Sequence, residues 1–374
     1  MDRINKFTKL IKTQKLDGFI VTNPINIYYL TGFRGVSPTE RETLLVFNPR
    51  PTLITARLYQ NEASKLKSDN LSVIIVDERK KIIDSIRDLL RVGLPAEALR
   101  SEFSGSKTSA KVGFEEHNLT YSEFNEFKKG LKELKLIPIK HLVEDLRSIK
   151  SGDEINNIEK AQKISQSAFA QIIKLIKPGQ TEAELAEKLA SIIKNLGAQS
   201  LAFESIIASG PNSALPHYVT GRRKIKKGEV LLFDFGAKYK NYSADLSRTV
   251  FVGIASDKYK NIYRHVNRVQ KKAIESITHD LKASEAFHLA NNLFKKHNLH
   301  QNFIHSLGHG IGLQVHEKPH LGKKSKERLK EGMVFSVEPG LYFAGWGGVR
   351  IEDLVVIKNG RAKLIGKPAK FNQI

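Results

Sequence analysis

Five residues in the C-terminal half have types and settings suited to holding cations: Asp234, Asp245, His309, Glu338 and Glu352. Asp234 lies in Val230-Leu231-Leu232-Phe233-Asp234-Phe235-Gly236, where five large apolar residues surround one acid. Such a run reads as a strand buried on both faces. Gly236 ends it, Lys238-Tyr239-Lys240-Asn241 turns, and the run from Tyr242 to Val252 brings Asp245 eleven residues after Asp234. The two acids are therefore expected on the two arms of a hairpin. A buried carboxylate without a partner costs several kcal/mol even after relaxation. The partner is a backbone amide, an Arg or Lys, a proton or a metal.

The same pattern recurs downstream. Glu338 lies in Phe335-Ser336-Val337-Glu338-Pro339-Gly340 and Glu352 in Gly348-Val349-Arg350-Ile351-Glu352-Asp353-Leu354, each read as an apolar strand with an acid in it. His309 lies in the Gly-rich His305-Ser306-Leu307-Gly308-His309-Gly310-Ile311-Gly312. Acids in three separate apolar runs, with a Gly-flanked histidine, are expected to converge. Four carboxylates balance the charge of two divalent cations, a known hydrolytic arrangement. A donor set of oxygens and one nitrogen, without sulfur, favours Mn²⁺, Co²⁺, Fe²⁺ or Zn²⁺ and does not choose among them.

The order Asp, Asp, His, Glu, Glu, with Gly-His-Gly-Ile-Gly, Val-Glu-Pro-Gly and Arg-Ile-Glu-Asp around the last three, resembles the pita-bread metallopeptidases. Within them it is similar to the Xaa-Pro branch, aminopeptidase P and prolidase. The resemblance implies a metal-dependent exopeptidase that hydrolyses the Xaa-Pro bond in dipeptides or at the N-terminus of peptides. It implies two divalent ions, Mn²⁺ or Co²⁺ before Zn²⁺ or Fe²⁺. Asp234 would hold one metal, Asp245 and Glu352 would bridge, and His309 with Glu338 would complete the other. A bridging hydroxide would attack the carbonyl, and Glu338 would relay the proton to the proline nitrogen. By the same resemblance His217, His305 and His316 would bind substrate oxygens, the tetrahedral intermediate and the proline ring. Taken alone, each is a structural or surface histidine. Arg350 has two readings, a substrate or dimer contact and a salt bridge that fixes a ligand carboxylate.

These residues need a scaffold. The chain has 374 residues, beyond the roughly 250–300 at which one core stops growing, so two domains are expected. Ser151-Gly152-Asp153-Glu154 and Thr181-Glu182-Ala183-Glu184 have capping-box spacing and should each open a helix. Further helices are expected at about Tyr259 to Ile277 and Ala286 to Lys296. The boundary falls near residue 148, giving domains 1–148 and 149–374. The first half alternates helix and strand, an α/β pattern. Its Asn23-Pro24-Ile25-Asn26-Ile27-Tyr28-Tyr29-Leu30-Thr31-Gly32 resembles a creatinase-like N-terminal domain, and otherwise reads as a loop and edge strand. The fold class expected is α+β, a pita-bread catalytic domain after a smaller α/β creatinase-like domain.

Composition limits the partners. Net charge is +22, but the lysines are spread along the chain without a zinc-finger or aromatic RNA-binding motif, so no specific nucleic acid is expected. No run of about 18 apolar residues is present, so no membrane partner is expected. Cysteine is absent, which excludes thiolate ligands and fits a cytoplasmic setting. The family resemblance adds a homodimer and a proline-containing peptide as partners. The competing readings are a catalytically inactive pita-bread binding protein, which would have lost ligands, creatinase, which needs no metal, and methionine aminopeptidase, which lacks the first domain.

Overall fold

A computed structural model describes residues 2–35, 40–93 and 110–367. The chain divides into two units, Met1–Leu146 and Arg147–Ile374.

The first unit contains α1 (Asp2–Thr13), β1 (Gly18–Val21), α2 (Pro24–Thr31), β2 (Thr43–Asn48), β3 (Arg50–Ala56), α3 (Gln60–Ser64), β4 (Ser72–Val76), α4 (Arg79–Gly93), β5 (Lys111–Glu115), α5 (Tyr121–Gly130) and β6 (Lys135–Ile139). Its sheet runs β4-β3-β2-β1-β5-β6. The β1–β2 and β2–β3 pairs are antiparallel, and the other three are parallel. The segment after Asn23 is a helix, not the alternative of a loop and edge strand. The Asn23 side chain caps it by accepting from the Ile25 amide at 2.9 Å, and Pro24 occupies the first turn, where no N–H is needed. Gly32, at φ 79°, closes the other end.

The second unit begins with α6 (Leu142–Ser148), which spans the division, and continues with α7 (Gly152–Ile172) and α8 (Glu182–Asn195). Both long helices open with the capping boxes read from the sequence, Ser151 with Glu154 and Thr181 with Glu184. The strands that follow are β7 (Ser200–Leu201), β8 (Ile206–Ser209), β9 (Val230–Phe235), β10 (Ala237–Tyr239), β11 (Tyr242–Ser243) and β12 (Leu246–Phe251). Then come α9 (Asp257–Ser276), α10 (Ala283–Lys295), β13 (His309–Gly310), β14 (Glu317–His320), β15 (Val334–Val337), β16 (Gly340–Phe343), β17 (Gly347–Arg350), β18 (Asp353–Lys358) and β19 (Arg361–Leu364). All strand pairs of this unit are antiparallel.

Two cores divide this unit. In one, Phe169 of α7 and Leu185 and Leu189 of α8 pack on Ile207, Leu231 and Phe233 of the β12-β9-β8 sheet. The Phe169 and Phe233 rings meet edge to face at 5.7 Å. In the other, Val266 of α9 and Phe287 and Phe294 of α10 share a core with Phe335 and Val355, from the β14-β13-β15-β18-β19 sheet. Side chains alternate along a strand. So β9 sends Leu231, Phe233 and Phe235 into the first core while Val230 joins the second. This is the strand buried on both faces expected from its composition, and Asp234 shares the face of Val230.

Candidate metal centre

The arms after Asp234 differ from the simple hairpin expected. Ala237–Tyr239 forms a strand of its own, and the turn shrinks to Lys240 and Asn241, both at positive φ. Asp234 pairs with Ser247 across the β9–β12 ladder, and Asp245 falls just before β12. Glu338 and Glu352 also lie outside strands, in the β15–β16 and β17–β18 connections. Pro339 has no N–H for a ladder, so the strand before it stops short of Glu338. In these connections the acids are held by their backbones. The Glu338 amide donates to Leu307 O at 2.8 Å and the Glu352 amide to Ser247 O at 3.1 Å. The glycines beside His309 allow close backbone approach. A Cβ on Gly308 would meet the Ser336 carbonyl, and one on Gly310 the Lys318 carbonyl.

All nine residues singled out from the sequence line one cavity of about 300 Å³: Asp234, Asp245, His309, Glu338, Glu352, His217, His305, His316 and Arg350. Sequence reasoning passed over Phe203, Ile206 and His320, which share that lining. It also passed over Ser247, Ser336 and Tyr342, which hold lining residues in place. Ser247 Oγ donates to Glu352 Oε2 at 2.7 Å, and Ser336 Oγ donates to Glu338 Oε1 at 3.0 Å. Strand alternation was the available signal for Ser247, two residues from Asp245. Nothing local distinguished Tyr342.

Arg350 is buried, and its guanidinium donates to Asp234 Oδ2 at 2.6 Å, to Tyr342 Oη at 2.7 Å and to Ser247 Oγ at 2.8 Å. Of its two readings from sequence, the geometry displays the salt bridge to a carboxylate. Burial opposes its charge, yet Tyr342, Asp234 and Glu338 push its pKa further up, so it is a fixed cation. Burial also pushes the Tyr342 hydroxyl up to about 12. That hydroxyl lies 2.9 Å from His305 Nε2, and His305 Nδ1 lies 2.7 Å from the Ser306 carbonyl. A carbonyl only accepts, so Nδ1 carries the proton and Nε2 accepts from Tyr342. Burial, then Arg350, depresses the His305 pKa to about 3. Both ring nitrogens are thus engaged, one by the Ser306 carbonyl and one by the Tyr342 hydroxyl that also accepts from Arg350.

The donors fit divalent cations. Asp234 Oδ1, Asp245 Oδ1 and Glu352 Oε1 are buried and have no hydrogen-bonding partner. Ligand atoms of Asp245, His309 and Glu352 lie within 4.8 Å of one another. His309 Nδ1 is 3.2 Å from the Gly310 carbonyl and so bears the proton, which leaves Nε2 as a bare lone pair. That lone pair faces Glu338 Oε1 at 3.3 Å and Asp245 Oδ2 at 3.7 Å. Three electron-rich atoms turned toward one another repel unless positive charge lies between them. In the metal-free protein protons partly relieve the strain. Burial, then the Glu352 and Asp234 charges, raises the Asp245 pKa well above the ordinary carboxylate range, and burial with Glu338 does the same for Glu352. Glu338 is pushed up to about 7, by burial first. Burial lowers the pKa of His309, and takes His316 down to about 4 with help from His309.

The chain is similar to known proteins along nearly its whole length. Residues 156–359 match metallopeptidase family M24, and residues 3–149 match the Creatinase/Prolidase N-terminal domain. The chain is 36% identical to the Xaa-Pro dipeptidase of Pyrococcus furiosus over 98% of each chain. It superposes on the solved Xaa-Pro dipeptidase from Bacillus anthracis with a TM-score of 0.89 and 32% identity, covering 100% of this chain and 99% of that one. An X-Pro aminopeptidase from Thermotoga maritima superposes at 0.85 with 29% identity, covering 99% of each.

The raised carboxylates set a pH-dependent prediction. A carboxyl raised in the fold stabilises the metal-free protein fully below its unfolded value, 4.5 for Glu338, and that contribution is lost as pH climbs to about 7. The depressed histidines act oppositely, but only below their unfolded value of 6.5, above which they are neutral in both states. From about pH 6.5 upward through about 7, the value for Glu338, the raised carboxyls still titrate, and metal replaces their protons. The gain in melting temperature on adding Mn²⁺ to chelator-treated protein is therefore expected to grow across that range. A hundredfold excess over Kd gives about 2.7 kcal/mol. Melting curves with and without metal decide it, and a gain that is constant or shrinks with pH contradicts the assignment.

Proposed function

The chain belongs to metallopeptidase family M24, and from that premise we propose that it hydrolyses the Xaa-Pro bond of proline dipeptides. The observation that carries the reading is the cluster of three partnerless buried carboxylate oxygens and the bare His309 Nε2 on one cavity wall. The choice of dipeptides is supported by relatives named Xaa-Pro dipeptidases that match over nearly their whole length.

In this proposal Asp234, Asp245, His309, Glu338 and Glu352 hold two divalent cations, with Mn²⁺ or Co²⁺ preferred. When bound, such ions supply Lewis acidity and make water a nucleophile near neutral pH. The remaining work belongs to side chains. Glu338 takes the proton of the attacking water and hands it to the proline nitrogen as the C–N bond breaks. A carboxyl poised near neutrality can do both. Ser336 fixes the orientation of Glu338 through its 3.0 Å hydrogen bond. His316, with its depressed pKa, is neutral near pH 7 and offers an N–H to the substrate carbonyl without competing as a charge. His217 stands on the same cavity wall region as a second donor. His305 works through Tyr342 to hold Arg350, and Arg350 holds Asp234. Phe203, Ile206 and Pro216 supply apolar surface for the proline ring, whose nitrogen brings no N–H to be satisfied. A homodimer, as in the resembling family, belongs to the same proposal.

The direct test is hydrolysis of Xaa-Pro dipeptides beside Xaa-Ala dipeptides and Xaa-Pro-Yaa tripeptides, with Mn²⁺ or Co²⁺ added. Proline dipeptides should be cleaved at least about tenfold faster than their alanine counterparts, a margin of about 1.4 kcal/mol. Equal rates for the proline and alanine series would remove the specificity, and faster cleavage of tripeptides would make the protein an aminopeptidase. For the proton relay, Glu338→Gln is expected to cut turnover by roughly 10²–10⁴-fold while the protein still folds and binds at least one metal. Near wild-type turnover with a clear fall in melting temperature would make Glu338 a structural acid.

A further inference from the structure

Glu182 stands at the first position of α8, and it is fully buried. Its carboxylate accepts from the Ser209 amide and hydroxyl, each at 2.7 Å, from Asn212 Nδ2 at 3.1 Å and from the Tyr218 hydroxyl at 2.8 Å. Asn212 Nδ2 also donates to the Tyr218 hydroxyl at 2.8 Å, which closes a ring of three side chains. A helix N-terminus suits the charge, since its free amides favour an anion. Every donor comes from one segment, residues 209–218. Glu182 therefore ties the two ends of that segment to one fixed point on α8.

The segment carries Pro216 and His217, both on the cavity lining. His217 is exposed, and among the described residues no hydrogen bond holds its ring. It nonetheless shares the cavity lining with His305, His316 and Glu338. The ring is thus near the carboxylates without being anchored by its own atoms. What fixes it is the backbone on either side. Downstream, Thr220 Oγ1 donates to Ser205 O at 2.9 Å and accepts from the Ile207 amide at 2.8 Å. Immediately beside His217, Arg350 Nη1 donates to the Pro216 carbonyl at 3.4 Å on one side, and the Tyr218 hydroxyl donates to Glu182 at 2.8 Å on the other.

We propose that Glu182, acting through Tyr218, is a positioning residue that aims the His217 ring into the cavity. The consequence for turnover rests on the dipeptidase reading, in which His217 meets substrate. The Tyr218 hydroxyl remains a donor over the whole working range, since burial and the Glu182 carboxylate hold its pKa up to about 12. Tyr218→Phe keeps the aromatic ring but removes the donor to Glu182 and the acceptor for Asn212. The loop then loses the shorter of its two contacts beside His217, and small misplacements of a substrate-contacting group are costly to rate.

A double-mutant cycle separates aiming from general support of the fold. In the otherwise unaltered protein loaded with Mn²⁺, Tyr218→Phe should lower kcat/KM for an Xaa-Pro dipeptide about tenfold or more. In His217→Ala protein the same change should alter kcat/KM by less than about twofold, because the ring it aims is gone. Glu182→Gln should follow the same pattern and serves as the second variant if Tyr218→Phe folds poorly. Equal losses in both backgrounds, or no loss in the first, overturn the proposal. A second readout does not depend on turnover. In ¹³C-histidine-labelled protein, the His217 ring signal is identified by its absence in His217→Ala. It should shift or broaden in Tyr218→Phe, and an unchanged signal overturns the proposal. Wild-type protein that cleaves no Xaa-Pro dipeptide would remove the dipeptidase reading, while the ring signal would still decide the positioning role.

Discussion

Uncompensated negative charge at the centre of the second unit is the constraint on which its architecture depends. Asp234, Asp245, Glu338 and Glu352 converge on a cavity where, among the described lining residues, Arg350 has the one permanent positive charge. That charge is committed to Asp234 at 2.6 Å. The bare nitrogen of His309 adds electron density instead of relieving it. Charges taken out of water demand compensation from opposite charge or hydrogen bonds, and here the hydrogen bonds stop short of three oxygens. Divalent cations meet that demand with the donor set present.

The fold sustains the strain by fixing the acids from behind. Buried Arg248 donates to the Glu352 carbonyl at 2.5 Å and to Asp353 Oδ1 at 2.6 Å, and Gln270 of α9 donates to the other Asp353 oxygen at 2.8 Å. The link Ser247–Glu352 joins the strand beside β9 to the β17–β18 connection. Similar buried clamps flank the histidines. Arg147 donates to Glu317, next to His316, and Lys150 lies 3.3 Å from the same carboxylate. Two helix-backed cores, one under each part of the site, make these attachments stiff. The groups are held before any substrate arrives, which is where electrostatic catalysis gains most.

Much of this was legible in the residues themselves. An acid inside Val230–Phe235 announces its own anomaly, because a strand buried on both faces has no solvent for it. Capping boxes at Ser151 and Thr181 and the glycines around His309 are local signals, and the structure bears them out. What was hidden depends on distance across the chain. Arg350 could not be assigned to Asp234 from sequence, because 116 positions separate them. The engagement of both His305 nitrogens depends on Tyr342, and the hold on His217 depends on Glu182, neither of which stands out by type or spacing. The apolar runs around Glu338 and Glu352 read as strands that include both acids. In fact the strands end before them, at Val337 ahead of Pro339 in one case and at Arg350 between two hairpins in the other, so each acid sits in a connection pinned by its own amide.

Anomalous diffraction from crystals grown with Mn²⁺ tests the central claim most directly. The account predicts strong anomalous peaks inside the cavity, with carboxylate oxygens of Asp245 and Glu352 and the Nε2 of His309 within coordinating distance of the metal. It also predicts that the peaks vanish in Asp245→Asn, Glu352→Gln double-variant crystals of the same fold. Well-ordered crystals with no anomalous density in the cavity, or with Mn²⁺ bound elsewhere while these carboxylates stay partnerless, would contradict it.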